Sequence, residues 1–534
     1  MQRTALLAAG TALMLLAVGG RWDIALAAWI FPVLLLRFSR TGRAWTAVTG
    51  IWAANVAAAL FWTWESALGS GPVIVVGAVA IGALRTVPYV LDRWLACRLP
   101  AWAALMAFPA AVAASEFLLT LVTPFGTAFG VLAVTQYGEL PLLQITAVTG
   151  AYGIGFLIAW SASVANLVWA VLTSPADQTP QTDRTPHDGQ TPHTERTSQA
   201  ERARRVAWPC AVFAGVLLAV VGFGSVRLAF FSEPQHTVRI AGVGPRPELR
   251  AAQKAAIRAV GGGRRDVATA PDAAVLPAML AVRNDLLAST RREAVAGAKI
   301  VTWPENAVSV RESDERATIG AARAEARRDG IYLEIGLNVF AATGPSFGKD
   351  ETLLIGPDGA VLWTYQKAHP IPGSETFKPG DGRVPVVDTP YGRLANVICY
   401  DADFPAMMRV RADIVLVPSH DWREYGEAHT RKASLRAIEG GYALFRQDGQ
   451  GVSGVFDRHG RVLATADTFA AGAETTVAHV PTRGGTTVYD VIGDTFAWLC
   501  VAGVVALAAF GVARPRRRRA AEASQVTRVD VPAA

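Results

Sequence analysis

Three stretches of the sequence set a reactive side chain at the end of an apolar run: Glu305 in "VTWPEN", Lys367 in "YQKAHPIPGSE" and Cys399 in "VICYDADFP". A thiol with an ordinary pKa of ~8.5 is mostly protonated near neutrality, and only its thiolate is a good nucleophile. A carboxylate within reach can take the proton as general base. An ammonium favours the thiolate and, later, the oxyanion of a tetrahedral intermediate. Glu, Lys and Cys together therefore describe acyl transfer through a thioester. Singly, each has a plainer reading, because most Glu and Lys are surface charges and a lone Cys is commonly a small buried hydrophobe. Together, each beside an unusual local sequence, they favour catalysis. This chemistry needs no metal or other cofactor, and no cluster with metal-ligand spacing appears in the chain.

Lys367 lies 62 residues beyond Glu305, and Cys399 a further 32 beyond Lys367. Strand ends bring such distant residues to one edge of a sheet, where the sites of α/β proteins usually lie. Strand-like runs are "HTVRIAGVG", "AKIVTWPE", "IYLEIGLNVF", "LANVICY", "ADIVLVPSH" and "YALFRQDG", and helical patterns occupy 272–297, 314–328 and 425–440. Two hairpins carry turn chemistry at Asp358-Gly359 and His459-Gly460. The alternation predicts a layered α/β domain with a partly antiparallel sheet.

The rest of the chain has a different composition. Of its 534 residues 51% are hydrophobic and 18% charged, against about a quarter charged in soluble domains. Apolar segments near the ~20 residues needed to span a bilayer occupy 4–20, 22–37, 44–66, 71–95, 101–123, 142–172, 207–231 and 495–513. The sequence therefore predicts a membrane domain over 1–235 with seven spans. A catalytic domain follows at 236–492, a last span at 493–513 and a basic tail at 514–534. Residues 174–206, with repeated Thr-Pro steps and balanced charges, read as a disordered cytoplasmic loop. Arg37, Arg40, Arg43, Arg93, Arg98 and the run Arg516 to Arg519 all fall on one side under the positive-inside rule. That side is the cytoplasm, holding both termini, and the catalytic domain lies across the membrane. The net charge of +7 sits largely beside apolar segments, which indicates membrane lipids as partners and argues against nucleic acid. Two ionisable groups fall inside spans: Arg85, expected to snorkel toward the cytoplasm, and Glu116, near the outer end of its helix. Cys97, Cys210 and Cys500 lie in or beside apolar segments, and no disulfide framework is expected.

"TWPEN", "YQKAHPIPGSE" and "VICYDADFP" resemble the three signature regions of the nitrilase superfamily, whose members use a Glu-Lys-Cys triad on an αββα sandwich. Such a domain between seven spans and one more is similar to the apolipoprotein N-acyltransferase family. The resemblance implies a polytopic helical membrane domain carrying an extracytoplasmic nitrilase-like sandwich in the inner membrane of a bacterium. It implies transfer of a fatty acyl chain from a phospholipid donor to the N-terminal amine of a diacylated lipoprotein. Glu305 would be general base, Lys367 the intermediate stabiliser and Cys399 the nucleophile, with Glu375, Tyr400, Asn338 and Asp401 binding substrate or supporting the triad. Arg436 and Glu439, at i, i+3, match a structural pair that holds a helix. The sequence departs from the family at Asp401, where the acyltransferases usually carry Glu; "CYD" is closer to soluble nitrilase-type amidases. It departs again at "TPFGT" (123–127), "AGVGPRPE" (241–248) and "SHDWREYGE" (419–427). Two other readings are a membrane-tethered amidase acting on a small amide and a non-catalytic scaffold or transporter.

Overall fold

The computed structural model describes residues 2–69, 71–173, 193–230, 236–344, 346–469 and 475–513, with backbone only at 193–205. Six helices among these are long and apolar enough to cross a bilayer: Ala44–Glu65, Pro72–Leu95, Ala101–Val122, Tyr152–Thr173, Val206–Phe230 and Thr495–Ala513. The first two expected spans are helices of 14 and 16 residues, Gln2–Leu15 and Ala25–Arg40. At 1.5 Å per residue they reach about 21 and 24 Å, short of the ~30 Å hydrocarbon core. Asp23 ends the first of them by accepting the N–H groups of Val18 and Gly19 at 3.0 and 3.1 Å.

The span expected over 142–172 begins only at Tyr152. Before it the chain makes two single-turn helices, Leu140–Leu143 and Thr146–Thr149, and breaks at Gly150 with φ 65°. The ring of Tyr489 packs there, 2.6 Å from where a Cβ would stand, so only glycine fits the turn. Part of the expected disordered loop is also corrected. Residues 193–206 belong to one helix, His193–Phe230. The Thr-Pro steps stop at Pro192, and the Glu, Gln, Ala and Arg residues that follow favour helix. Residues 174–192 and the basic tail from 514 lie outside the described residues. Arg85 does not point as expected: its guanidinium lies 5.2 Å over the Phe129 ring, in the connection that follows helix Ala101–Val122. Glu116 accepts the Leu132 N–H of that segment at 3.1 Å.

The described residues of 237–481 form thirteen strands. They are β1 (Thr237–Val243), β2 (Ile300–Thr302), β3 (Val308–Arg311), β4 (Tyr332–Phe340), β5 (Gly348–Ile355), β6 (Val361–Gln366) and β7 (Val386–Thr389). Then come β8 (Gly392–Asn396), β9 (Ile414–Leu416), β10 (Ala443–Arg446), β11 (Val452–Phe456), β12 (Val462–Asp467) and β13 (Thr475–Pro481). One sheet has the order β13-β1-β2-β4-β5-β6, with β3 also paired to β4, and the other β12-β11-β10-β9-β8-β7. The central pairs β1–β2, β2–β4, β8–β9 and β9–β10 are parallel, and the outer pairs antiparallel.

The inner faces meet through Val238, Ile240, Ile300 and Leu354 from one sheet and Leu394, Ile414, Leu416 and Phe445 from the other. Helices Asp272–Val295 and Glu312–Asp329 cover the first sheet with Val282, Leu286, Ala322 and Ala326. Helix Gly426–Gly440 covers the second with Ala433 and Ala437. The architecture is the expected αββα sandwich, with both expected hairpins present as β5–β6 and β11–β12.

The two halves are tied together at specific points. Glu439 accepts the Ala151 N–H at 2.8 Å while its other oxygen holds Arg436 at 3.1 Å. The pair therefore has the structural role expected of it, and also anchors the sandwich to the membrane half. Gln144 donates to the His459 carbonyl at 3.0 Å, and Trp422 Nε1 to the Ser66 carbonyl at 2.6 Å.

Candidate active site

Glu305 follows β2 in a turn that crosses directly over β4. Gly336 of β4 permits the crossing: a Cβ there would stand 2.1 Å from the Pro304 carbonyl oxygen and 3.2 Å from Glu305 Cα. Lys367 is the first residue past β6, and its N–H donates to the Asp350 carbonyl of β5 at 3.0 Å. Cys399 lies three residues past β8, at the start of a 3-10 turn, with φ 48°. A left-handed β-carbon residue is strained. The strain is held by the Cys399 N–H bond to the Pro418 carbonyl at 2.9 Å.

Lys367 Nζ donates to Glu305 Oε1 at 2.6 Å and to Glu375 Oε1 at 2.9 Å. Lys367 and Cys399 are fully buried and Glu305 nearly so. Burial, Glu305 and Asp421 push the Cys399 thiol well above its ordinary range, against the opposing pull of Lys367 and Arg446. Burial opposes charge on Lys367 too, but the carboxylates, Glu305 first and then Glu375, outweigh it and hold the ammonium firmly protonated. On Glu305 the upward push of burial is overcome by Lys367 and by a hydrogen bond with Asp350, and the carboxyl stays below its usual range. At rest the site thus holds a thiol, a carboxylate and an ammonium.

The supporting residues divide. Glu375 clamps Lys367 and accepts the Ile371 N–H at 2.7 Å with its other oxygen, which shapes the loop after the lysine. Asp401 ties that loop to the cysteine turn. It accepts from Tyr365 Oη at 2.8 Å, from the His369 N–H at 2.8 Å and from the Ile398 N–H at 3.2 Å. With its lone pairs so engaged, Asp401 is a brace between the loops that carry Lys367 and Cys399 and not the base for its neighbouring thiol. Tyr400 Oη donates to the Pro124 carbonyl of the membrane half at 3.0 Å. Asn338 sits half-buried in β4 in register with Asp350, and is not brought within hydrogen-bonding distance of Glu305, Lys367 or Cys399.

A second charged cluster, unforeseen in the sequence, lies on the other side of the thiol. Asp421 Oδ1 is 3.8 Å from Cys399 Sγ and 2.7 Å from His429 Nδ1, and Asp421 Oδ2 accepts from Arg446 at 2.8 Å. His429 Nε2 reaches Asp403 at 3.0 Å. Burial and Arg446 disfavour a charged His429, but Asp421 and Asp403 prevail and raise it. Asp421 was visible only as part of the divergent "SHDWREYGE", and His429 and Arg446 carried no signal beyond helix and strand pattern. Two donor groups have the compactness of a metal site, Cys399/Asp421/His429 and Glu305/Asp350/Glu375. Each already holds a protein cation, Arg446 on Asp421 in one and Lys367 on Glu305 and Glu375 in the other.

The geometry at β4 makes a direct prediction. On the expectation that Cys399 is acylated with Glu305 as base, Gly336→Ala should slow that acylation by ~10- to 100-fold, because displacing a reacting group by about 1 Å has effects of that order. Single-turnover acylation followed by intact-protein mass spectrometry, with thermal melting as fold control, measures it. An unchanged rate in a folded variant would show that the Pro304–Glu305 turn is not held by this contact.

Two family models match the chain in succession: the apolipoprotein N-acyltransferase N-terminal domain over residues 10–164, and carbon-nitrogen hydrolase over 265–486. An apolipoprotein N-acyltransferase of Geobacter metallireducens is 27% identical over 432 residues, covering 74% of this chain and 71% of that protein. A deaminated glutathione amidase of Yersinia enterocolitica is 31% identical over 171 residues, 27% of this chain and 59% of that protein. Among solved structures, an amidase from Nesterenkonia sp. aligns with 47% of this chain and 93% of its own, at 21% identity and a TM-score of 0.36.

Proposed function

The chain belongs to the apolipoprotein N-acyltransferase family, with that family's membrane domain joined to a carbon-nitrogen hydrolase domain, and from this premise we propose a two-step acyl transfer through Cys399. The donor is a membrane phospholipid and the acceptor the N-terminal amine of diacylglyceryl-cysteine in a bacterial lipoprotein. As Cys399 Sγ attacks the ester carbonyl, Glu305 takes the thiol proton and the Lys367 ammonium faces the developing oxyanion. Collapse expels the lysophospholipid oxygen, which leaves with the proton from Glu305, and the acyl chain remains as a thioester. The lipoprotein amine then attacks, gives its proton to Glu305, and forms the amide as the Cys399 thiolate departs and is reprotonated. Asp421, on the far side of the thiol, disfavours a free thiolate and so helps return the site to rest.

One observation carries this reading. The turn bearing the nucleophile is bonded to the membrane half itself: Asp403 O accepts from Thr127 N at 2.7 Å and Oγ1 at 2.9 Å, and Tyr400 from the same turn reaches Pro124. Gly126 allows that contact, since a Cβ there would meet Asp403 O at 2.4 Å. Such a junction suits a reaction whose two substrates both reside in a bilayer. The basic residues Arg37, Arg40, Arg43, Arg93 and Arg98 support a topology with this junction on the extracytoplasmic side and both termini in the cytoplasm.

The test is intact-protein mass spectrometry of the purified protein incubated with phospholipid vesicles in detergent. An acyl adduct should appear on Cys399, be absent in Cys399→Ala, and disappear when a diacylated lipopeptide is added. No adduct in the folded protein would overturn the proposal. A second reading, hydrolysis of a small amide, is supported by the amidase match over 171 residues and by Asp401. Ammonia release from soluble amides, with the lipopeptide left unacylated, would favour it.

A further inference from the structure

Three carboxyl groups crowd the one ammonium of the site. Glu305, Asp350 and Glu375 each bring an oxygen within 4.8 Å of the others'. Glu305 Oε1 and Glu375 Oε1 share Lys367, whereas Asp350 has no cation within salt-bridge distance. Arg264 donates through Nη2 to the Val339 carbonyl at 2.8 Å and through Nε to the Phe347 carbonyl at 3.3 Å, and forms no ion pair with Asp350. If all three carboxyls were ionised, the buried cluster would hold two uncompensated negative charges, a state that like-charge repulsion and desolvation both oppose. Asp350 is 1% exposed. Its Oδ2 accepts from Asn306 Nδ2 at 3.4 Å, while its Oδ1 has no partner. Glu305 Oε2, also buried, has none either. A single proton between these two orphaned oxygens satisfies both atoms and removes one surplus charge.

We propose that Asp350 is protonated in the resting protein and donates through Oδ1 to Glu305 Oε2, acting as a positioning residue that keeps the general base ionised and aimed. The proposal rests on the role given to Glu305 above. The groups facing this pair are Lys367 and Glu375 from the segment after β6, Cys399 from its turn, His420 from beyond β9, and Arg264 across Phe340 and Phe377. Burial first, and Glu305 second, push the Asp350 carboxyl well above its ordinary range, and the same bond draws Glu305 down. β5 supplies the geometry. Asp350 sits in register with Asn338, and its carbonyl receives the Lys367 N–H, so base, lysine and donor are held by adjacent strands.

The full-length protein in detergent, with phospholipid as probe, decides between a shared proton and a merely packed side chain. Asn at this position reproduces a protonated Asp, with Nδ2 donating to Glu305 and Oδ1 accepting from Asn306. Asp350→Asn should therefore keep the acidic limb of the pH profile for Cys399 acylation where the wild type has it. Asp350→Ala removes the donor, raises the proton affinity of Glu305, and should move that limb to higher pH by about one unit. In parallel, the infrared difference between wild type and Asp350→Asn at neutral pH should show the loss of one protonated-carboxyl C=O band. Identical acidic limbs in wild type and Asp350→Ala, or loss of an ionised-carboxylate band instead, would overturn the proposal. If wild-type protein forms no thioester, the functional reading fails while the infrared arm still decides the proton. If Asp350→Ala does not fold, Asp350→Asn and the infrared spectrum decide alone.

Discussion

Lys367→Met should reduce acylation of Cys399 by about 10³-fold, the order found when a preorganised donor to a developing oxyanion is removed. It should also reverse the pH dependence of local stability. In the wild type, Lys367 and Asp350 hold Glu305 below its unfolded value despite burial. The stability this contributes is present above the ordinary carboxylate range and is lost as pH falls through the folded value. Without the ammonium, Glu305 and Glu375 remain buried beside Asp350 with no cation. Breaking a buried pair this way is destabilising by about 3–5 kcal/mol, unless the orphaned carboxyls take up protons. The proton affinity of Glu305 then rises above its unfolded value, and that of Glu375, already raised by burial, rises further, so stability is retained at low pH and lost as pH rises through the raised values. Melting curves in detergent at pH 5 and pH 8 check this. The variant should lose less against wild type at pH 5 than at pH 8. An equal loss at both would mean that Lys367 contributes packing and not charge compensation.

The residues that make up this cluster differ in how visible they were beforehand. Glu305, Lys367 and Cys399 could be found because each ends a strand whose apolar run is itself a signal, and because their chemistry is complementary. Glu375 and Asp401 were within reach for a related reason, being close in sequence to a triad member and bonded to its loop. Asp350 and Asp421 carried no such mark. Asp350 sits in "GKDET", which reads as the polar mouth of a strand, and its burial comes from a turn 45 residues earlier crossing over Gly336. Arg446 ends a strand that reads as core, and its charge is admitted only because Asp421 comes from the neighbouring strand's exit. Non-local pairing decides such cases. The same holds for β13, which closes the first sheet against β1 across more than two hundred residues of chain. In the membrane half each of the six long apolar helices corresponds to an expected span, but the hydropathy pattern did not show where helices stop. Asp23 and Gly150 end them through a side-chain bond and a backbone conformation that hydropathy does not register. Arg85 was misread for a comparable reason, since the aromatic face that attracts it belongs to a connection with no periodic signal.

Glu305→Gln should separate the two consequences of that carboxylate by moving them in opposite directions. In its proposed role as general base, Glu305 would contribute a factor on the order of 10²–10⁴, and phospholipid-dependent acylation of Cys399 should fall by that much. As a negative charge beside the thiol, it is also the largest contributor after burial to keeping Cys399 protonated. Gln removes the charge and leaves an acceptor for Lys367, so the ammonium acts on the sulfur with less opposition and the thiolate becomes easier to form. Alkylation by iodoacetamide depends on thiolate and needs no base. It should be faster in Glu305→Gln than in wild type near pH 8, by about tenfold for each unit the thiol is lowered. Asp421, still ionised by His429 and Arg446, limits the gain. The measurement is a pair of rates on one preparation: acyl adduct formation with phospholipid and carbamidomethyl adduct formation, both read on Cys399 by mass spectrometry. If Glu305 served only to hold Lys367 in place, its loss would weaken the cation's hold on the thiol and both rates would fall together. A fall in the first with a rise in the second requires that the carboxylate act on protons in the reaction while suppressing the nucleophile at rest.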